Sequence, residues 1–498
     1  MTQAEIGHLM ESSGVGFGTS GARGLVQKMT DRICYSYTTA FLQHLEQSGG
    51  LERGSAVAIA GDLRPSTSRI MAACAAAVAD RGYRPINCGR IASPAVACYA
   101  MARRIPSLMV TGSHIPDDRN GIKFNRADGE ILKEDEQDIR GQQVTIPDSR
   151  FTPDGSLATP FSLPVESGEA GDHYLRRYLE FLPEGCLAGL RIGLYEHSSV
   201  LRDALYEILC ALGAKVTRLG RAEQFIPVDT EAIRPEDVHL AQRWAADSSY
   251  DCIVSADGDG DRPLISDEHG NWLRGDVAGI LCARWLGAAV VATPVSSNSA
   301  VERSGWFQRV IRTRIGSPFV IAAMNQAREG APGPVVGYEA NGGFLTASDI
   351  ELQGRILPAL PTRDAVVVAL GVMLLARREG CTISQLLERL PRRFTASDRV
   401  KQFPTELSSS RLAWLNPVGQ EGVARRRIAG LFESHFGEVD NIDSTDGLRI
   451  TFQGGEVVHL RPSGNAPELR CYNEADSPRR VQEMQEICME ILAGWKEG

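Results

Sequence analysis

Hydrophobic and polar positions along the chain repeat one pattern three times: a short β-branched run, a helical stretch, then further apolar runs. The first copy passes from 55–60 (SAVAIA) through an alanine-rich helical stretch, 66–81, to 83–88 and 107–110. The second has 190–194, a helical period over 200–212, then 215–219 and 252–254. The third has 288–292, 299–304, 309–312 and 335–336. Strands alternating with helices predict α/β domains whose parallel sheets are covered on both faces. The last hundred residues read differently. A strand at 448–452, a Gly454–Gly455 turn and a strand at 457–460 predict a hairpin. A strand at 469–472 and a closing amphipathic helix over 477–495 complete a small α+β domain. A Pro/Ser/Gly-rich stretch at 145–171 separates the first two blocks, and 390–397 is a weaker boundary before the last. The domains expected are therefore 1–165, 166–271, 272–392 and 393–498.

With 498 residues, 43% hydrophobic and 23% charged, the chain is long and apolar enough for three or four cores at roughly 150 residues each. A formal net charge of −9 argues against a general nucleic-acid binder, whose footprint is basic. The eleven cysteines include no C-x-x-C pair, and the closest two, Cys88 and Cys98, sit ten apart in apolar stretches. They read as small core hydrophobes in a reducing compartment. No basic segment followed by an apolar run opens the chain, so no signal peptide is expected. The one stretch that invites a membrane reading, 277–295, has Arg284 at its centre and reaches Pro294, which suits a buried helix-to-strand unit better. The expectation is a soluble, cytoplasmic protein without nucleic-acid or membrane partners.

Five loops carry candidate chemistry. Thr111-Gly112-Ser113-His114-Ile115-Pro116 follows a strand, and Asn120-Gly121-Ile122-Lys123 comes shortly after. A serine on a strand-terminal loop beside glycine is exposed enough to be a nucleophile or phosphate carrier, the alternative being an ordinary turn serine. No G-x-S-x-G elbow surrounds it, and His114, its sequence neighbour, is not expected to point back at it as a triad base. Next comes Asp257-Gly258-Asp259-Gly260-Asp261-Arg262, three carboxylates at alternate positions that can converge on one hard cation. An EF-hand would find Glu268 at its twelfth position, but it needs glycine where Arg262 stands and a helix where a strand precedes. A phosphatase with an aspartate nucleophile also places D-x-D after a strand, but leaves the serine loop unexplained. Gly337-Tyr338-Glu339-Ala340-Asn341-Gly342-Gly343 suits sugar hydroxyls or is a structural turn. Arg461-Pro462-Ser463-Gly464-Asn465-Ala466-Pro467 has the arginine, hydroxyl and amide groups of a phosphate cradle. Gly18-Thr19-Ser20-Gly21-Ala22-Arg23-Gly24 adds a second arginine on a glycine loop.

In their order and spacing these five loops resemble the α-D-phosphohexomutase family, over nearly the whole chain from Phe17 to about Tyr472. The resemblance implies three similar α/β domains with mixed sheets and a C-terminal α+β domain around a central cleft. It implies that Ser113 is a phosphoserine and that Asp257, Asp259 and Asp261, with the phosphoserine, hold Mg²⁺. Arg262 would lie near the transferred phosphate, Glu339 and Asn341 on sugar hydroxyls, and Arg461, Ser463, Gly464 and Asn465 on the non-reacting phosphate. Arg23 and Lys123 match positions near the reacting group, with Lys123 or His114 as the general acid/base. The activity implied is interconversion of a hexose 1-phosphate and a hexose 6-phosphate through a hexose 1,6-bisphosphate, in a monomer or weak homodimer. The GYEANGG and RPSGNAP loops look like those of bacterial phosphomannomutases on the route to GDP-mannose. Glucose or glucosamine phosphate is the alternative substrate, and a non-catalytic sugar-phosphate or Ca²⁺-binding protein the alternative class. Gly112, Ile115, Asn341, Gly343, Asn465 and Ala466 depart from the residues usual in the family, which bears on sugar preference.

Overall fold

The computed structural model describes residues 1–18, 21–463 and 467–497, with side chains to 495. Compactness divides the chain into two units, Met1–Val291 with Gly316–Leu386, and Ala292–Ile315 with Leu387–Gly498.

In the first unit, the run expected at 55–60 becomes the strand Ala56–Gly61, buried along its whole length. A strand with no polar face belongs in the middle of a sheet. It pairs in parallel with Arg84–Arg90 and with Ser107–Val110. The chain then turns back: Arg119–Arg126 runs antiparallel to both Ser107–Val110 and Gly21–Leu25. The sheet is therefore mixed, as the resemblance implied, and the purely parallel arrangement that the strand–helix alternation predicted is corrected. The return stroke sets Lys123 opposite both Met109 and Gly21. Helices Asp31–Gln47 and Thr67–Asp80 contribute to the main core with Phe41, Val57, Ile59 and Phe124. The smaller cluster of Ala58, Met109, Val96 and Tyr99 involves helix Ser93–Ala102.

The stretch 145–171 is not a free linker. Phe151 is buried, and Leu157, Phe161 and Leu163 pack against the first core while the Leu157 amide donates to Asp31. Its few large apolar residues decide this against its Pro/Ser/Gly composition. A second sheet lines up Lys215–Arg221, Arg191–His197 and Cys252–Ala256 in parallel, and Pro263–Ile265 closes it antiparallel. Further on, Val335–Tyr338 pairs antiparallel with Phe344–Thr346. The stretch 277–295 resolves into helix Gly275–Trp285 and strand Val290–Pro294, both largely buried. Among the described residues, no helix is long and apolar enough to cross a membrane.

The second unit holds an antiparallel sheet in the order Phe394–Lys401, Glu468–Ala475, Val457–Pro462, Leu448–Phe452, Val439–Asp443. Its core joins Phe432, Phe436, Phe452, Leu460, Met484 and Cys488, drawing in helices Glu421–Phe436 and Pro478–Glu497. Residues 292–315 are tied into this unit by polar contacts. Glu474 accepts from the Ser299 amide and hydroxyl, and Asp446 accepts from the Ile315 amide. All eleven cysteines are free thiols and eight are buried.

Candidate active site

The serine loop hangs from the end of strand Ser107–Val110. Thr111 donates its hydroxyl to Asp62 at 2.7 Å and accepts the Ser113 amide at 2.8 Å. Ser113 has φ +57°, the left-handed region, which a side-chain-bearing residue holds only when its surroundings enforce it. Arg64 is the enforcing group. Fully buried and paired with Asp62, its guanidinium donates to the carbonyls of Ser113 (2.9 Å) and Ile115, and Phe225 stacks on it with 4.0 Å from ring centre to Cζ. A Cβ at Gly112 would lie 2.8 Å from Arg64 Cζ, so glycine is what lets the guanidinium pass.

The aspartate loop spans the turn between Cys252–Ala256 and Pro263–Ile265, closed by the Ala256–Pro263 pair. Asp257 folds the loop over itself, its Oδ1 accepting the amides of Asp261 (3.1 Å) and Arg262 (3.2 Å). Gly258 lies against the serine loop, where a Cβ would be 2.7 Å from the Ser113 carbonyl. This contact brings the two loops together: the Ser113 hydroxyl donates to Asp257 at 2.6 Å. Asp257, Asp259 and Asp261 are buried, with one oxygen of each within 4.8 Å of the others. Burial, reinforced by Asp259 and Asp261, holds the Asp257 carboxyl well above its usual range. The Oδ1 atoms of Asp259 and Asp261 are buried without a hydrogen-bond partner. Converging carboxylate oxygens with unused lone pairs fit a hard divalent cation.

Lys123 reaches the same carboxylates, its ammonium 2.6 Å from Asp259 and 2.5 Å from Asp261. Ser93, at the start of its helix, donates to Asp259 at 2.5 Å. Burial pushes the Asp259 carboxyl up, but Lys123 and these hydrogen bonds outweigh it and hold the group well below the usual range. His114 does turn toward the serine, contrary to the expectation from its adjacency: Nδ1 is 3.4 Å from Ser113 Oγ and 3.0 Å from Arg262. Burial, then the charge of Arg262, lowers its pKa to about 3, so the imidazole is neutral. With Nδ1 accepting from Arg262, the ring proton sits on Nε2, which faces Asp229 at 3.9 Å. Arg23 is pulled down to about 10 by burial and by Arg262 and Arg363, which places three guanidinium charges within electrostatic reach of one another.

The glycine-rich loop between Val335–Tyr338 and Phe344–Thr346 closes through Glu339 and Gly343, the amide of one donating to the carbonyl of the other at 3.0 Å. Asn341 spends its side-chain oxygen inside the loop, accepting the Gly343 amide at 2.9 Å, and its carbonyl accepts from Thr230 at 2.7 Å. Glu339 is buried beside Arg363. In the second unit, Arg461 pairs with Asp446 at 2.9 Å, and the buried Ser463 donates its amide to Glu468. Gly464 and Asn465 lie outside the described residues.

Sequence reasoning missed Asp62, Arg64, Ser93, Asp229 and Arg363. Asp62 and Arg64 left a trace, charged residues at the C-terminal end of an otherwise apolar strand, where α/β sheets place functional groups. Arg363 left none, since a charged residue ahead of a helix is ordinary.

Family models for phosphoglucomutase/phosphomannomutase match this chain: alpha/beta/alpha domain I over 14–147, alpha/beta/alpha domain III over 274–394 and the C-terminal domain over 418–491. A phosphomannomutase of Sinorhizobium fredii is 44% identical over 473 residues, covering 94% of this chain and 96% of that one. One of Salmonella muenchen is 44% identical over 469 residues, 94% of each. The crystal structure of a phosphoglucomutase/phosphomannomutase family protein of Burkholderia thailandensis superposes with a TM-score of 0.71 at 20% identity, over 96% of this chain and 97% of that one.

Proposed function

Because this chain belongs to the phosphoglucomutase/phosphomannomutase family, we propose that it is a phosphomannomutase, interconverting mannose 1-phosphate and mannose 6-phosphate by way of a phosphoserine at Ser113. The observation that carries the proposal is the Ser113 hydroxyl held 2.6 Å from Asp257, at the edge of a buried aspartate triad. The choice of mannose rests on the two relatives of that name at 44% identity.

Phosphorylated Ser113 gives its phosphoryl group to the free hydroxyl of the sugar monophosphate. The P–Oγ bond breaks as the bond to the sugar oxygen forms. Phosphoryl transfer asks the protein for positioning and charge neutralisation more than for covalent chemistry. Arg64 fixes the serine carbonyl, and Arg262 and Arg23 supply positive charge. Lys123, which contacts Asp259 and Asp261, takes the hydroxyl proton. It then passes the proton to the departing Ser113 oxygen, leaving the hydroxyl that donates to Asp257. Neutral His114, fixed by Arg262, faces the serine without adding charge. Asp257, Asp259 and Asp261 would hold Mg²⁺, whose charge opposes that of the transferred phosphoryl oxygens. The hexose 1,6-bisphosphate formed turns round and returns its other phosphoryl group to Ser113, with Glu339 on sugar hydroxyls and the loop from Arg461 to Asn465 on the distal phosphate. Free thiols throughout suit a reducing, cytoplasmic setting.

The test compares kcat/KM for mannose 1-phosphate and glucose 1-phosphate, with Mg²⁺ and a hexose 1,6-bisphosphate activator, beside Ser113→Ala. A ratio above one is expected, with no turnover by the folded variant. A ratio at or below one would make the enzyme a phosphoglucomutase or a dual-specificity mutase. Residual activity in Ser113→Ala would remove the phosphoserine.

A further inference from the structure

Arg363 has no part in the steps above, yet it is among the largest fully buried side chains of the protein. Its guanidinium lies 3.2 Å from Asp261, 3.5 Å from Glu339 and 4.0 Å from Glu130. Asp261 belongs to the aspartate loop and Glu339 to the glycine-rich loop, so one side chain spans two parts of the site. A planar guanidinium presents its donors to two carboxylates in fixed directions, whereas an ammonium is a rotating point charge that fixes no such geometry. Glu130 anchors the arrangement by accepting from Ser317 at 3.0 Å and from Thr362, the residue before Arg363, at 2.7 Å. Arg363 is buried and its guanidinium is turned to carboxylates of the two loops, so its influence on a ligand passes through those partners. Burial raises the Glu339 carboxyl, and Arg363 is the strongest influence opposing that rise.

The room for Arg363 is made at position 343. The backbone there is outside the left-handed region, so conformation does not demand glycine. Space does: a Cβ would lie 2.5 Å from Cδ and 2.7 Å from Cγ of Arg363. An absent side chain at 343 and a buried guanidinium at 363 are thus two halves of one feature.

We propose that Arg363 is a positioning residue that sets affinity for the sugar phosphate by holding Glu339 against Asp261, a role that rests on Glu339 being a sugar ligand, and that position 343 is glycine to admit it. Full-length Glu339→Gln, Arg363→Lys, the double variant and Gly343→Ala are compared by steady-state kinetics, by calorimetric Kd for mannose 6-phosphate and by thermal melting. Arg363→Lys keeps the stem and the charge but loses the fork. It is expected to raise Kd and KM by about tenfold while kcat falls by less than about threefold. Gly343→Ala should move Kd in the same direction. In the Glu339→Gln background, Arg363→Lys should add less than about twofold, because the two act through one contact. An unchanged Kd in Glu339→Gln would end the sugar-ligand reading and this proposal with it. A raised Kd in Glu339→Gln with wild-type Kd in Arg363→Lys and Gly343→Ala would overturn the positioning role alone. A lowered melting temperature with Kd intact would also overturn it, reducing Arg363 to a structural group. Should Arg363→Lys not fold, Gly343→Ala decides by the same criterion, since it leaves the arginine and its charge in place.

Discussion

Ser113 is held in a left-handed backbone by a guanidinium that reaches it through the gap at Gly112. An alanine there would have to displace Arg64 or the serine, because neither Asp62 nor Phe225 leaves the arginine room to retreat. Gly112→Ala is expected to lower kcat by about 10–100-fold, the scale of an ångström-sized misplacement of a reacting group. KM for the sugar phosphate should stay within about threefold, since the loops assigned to the sugar and its distal phosphate are untouched. Steady-state kinetics with mannose 1-phosphate checks this, and a wild-type kcat would show that Arg64 does not position the serine. The residues proposed to react were legible because their signals are dense in sequence: three aspartates in five positions, a serine beside glycine. Their supports were not. Arg64, apart from the trace at its strand end, and Arg363 are single arginines far in the chain from the loops they support, and local sequence does not say which loop each reaches.

Among the elements, helix Ala365–Glu379 shows how a segment of poor intrinsic helicity is made secure. Its sequence begins AVVV, and β-branched residues lose side-chain freedom in a helix. Its cap, Asp364, is buried and accepts the Val366 amide at 3.1 Å, the Tyr174 hydroxyl at 2.7 Å and the Tyr178 hydroxyl. An asparagine keeps the shape but turns one acceptor into a donor facing a donor. Asp364→Asn is expected to cost about 2–4 kcal/mol and Tyr178→Phe about 1–2 kcal/mol in urea unfolding. A loss of less than about 0.5 kcal/mol in Asp364→Asn would mean that water replaces the tyrosines without penalty. The alternation of apolar runs located the strands of the first two blocks to within a few residues, as with 107–110 and 252–254. It located no strand after the serine loop, where Arg119–Arg126 runs back antiparallel, because hydrophobic periodicity carries no information on whether the chain returns to the sheet. Composition marked 145–171 as the separation between the first two blocks, and Phe151, Leu157 and Leu163 bind its earlier part to the first core.

For the whole molecule, two buried imidazoles link stability to pH. His197 and His459 donate from Nε2 to the carbonyls of Ala256 and Asp446, both at 2.7 Å, and each Nδ1 is buried without a hydrogen-bond partner. Burial lowers each pKa from 6.5 to about 4. Between those values the unfolded chain binds a proton at each site and the folded chain does not. Stability is therefore greatest above pH 6.5 and falls as the pH drops toward 4, with no further loss from these groups below that. Each site contributes up to about 1.4 kcal/mol per pH unit within the window. Urea midpoints measured from pH 6.5 to 5, before most carboxylates titrate, should fall more steeply in the wild type than in His459→Asn. Equal slopes would mean that His459 is protonated in the folded state.

The sequence by itself determined the α/β succession, the C-terminal hairpin and the loops proposed to bear chemistry, because each depends on residues near one another in the chain: runs of apolar side chains, glycines at turns, like charges crowded into one loop. Tertiary structure alone decided the strand that returns antiparallel and brings Lys123 to the aspartates, the contact of Gly258 with the serine loop, and the buried arginines threaded past Gly112 and Gly343. Those depend on which distant segments share a space too small for a side chain and too dry for an unpaired charge, and local sequence carries no measure of either.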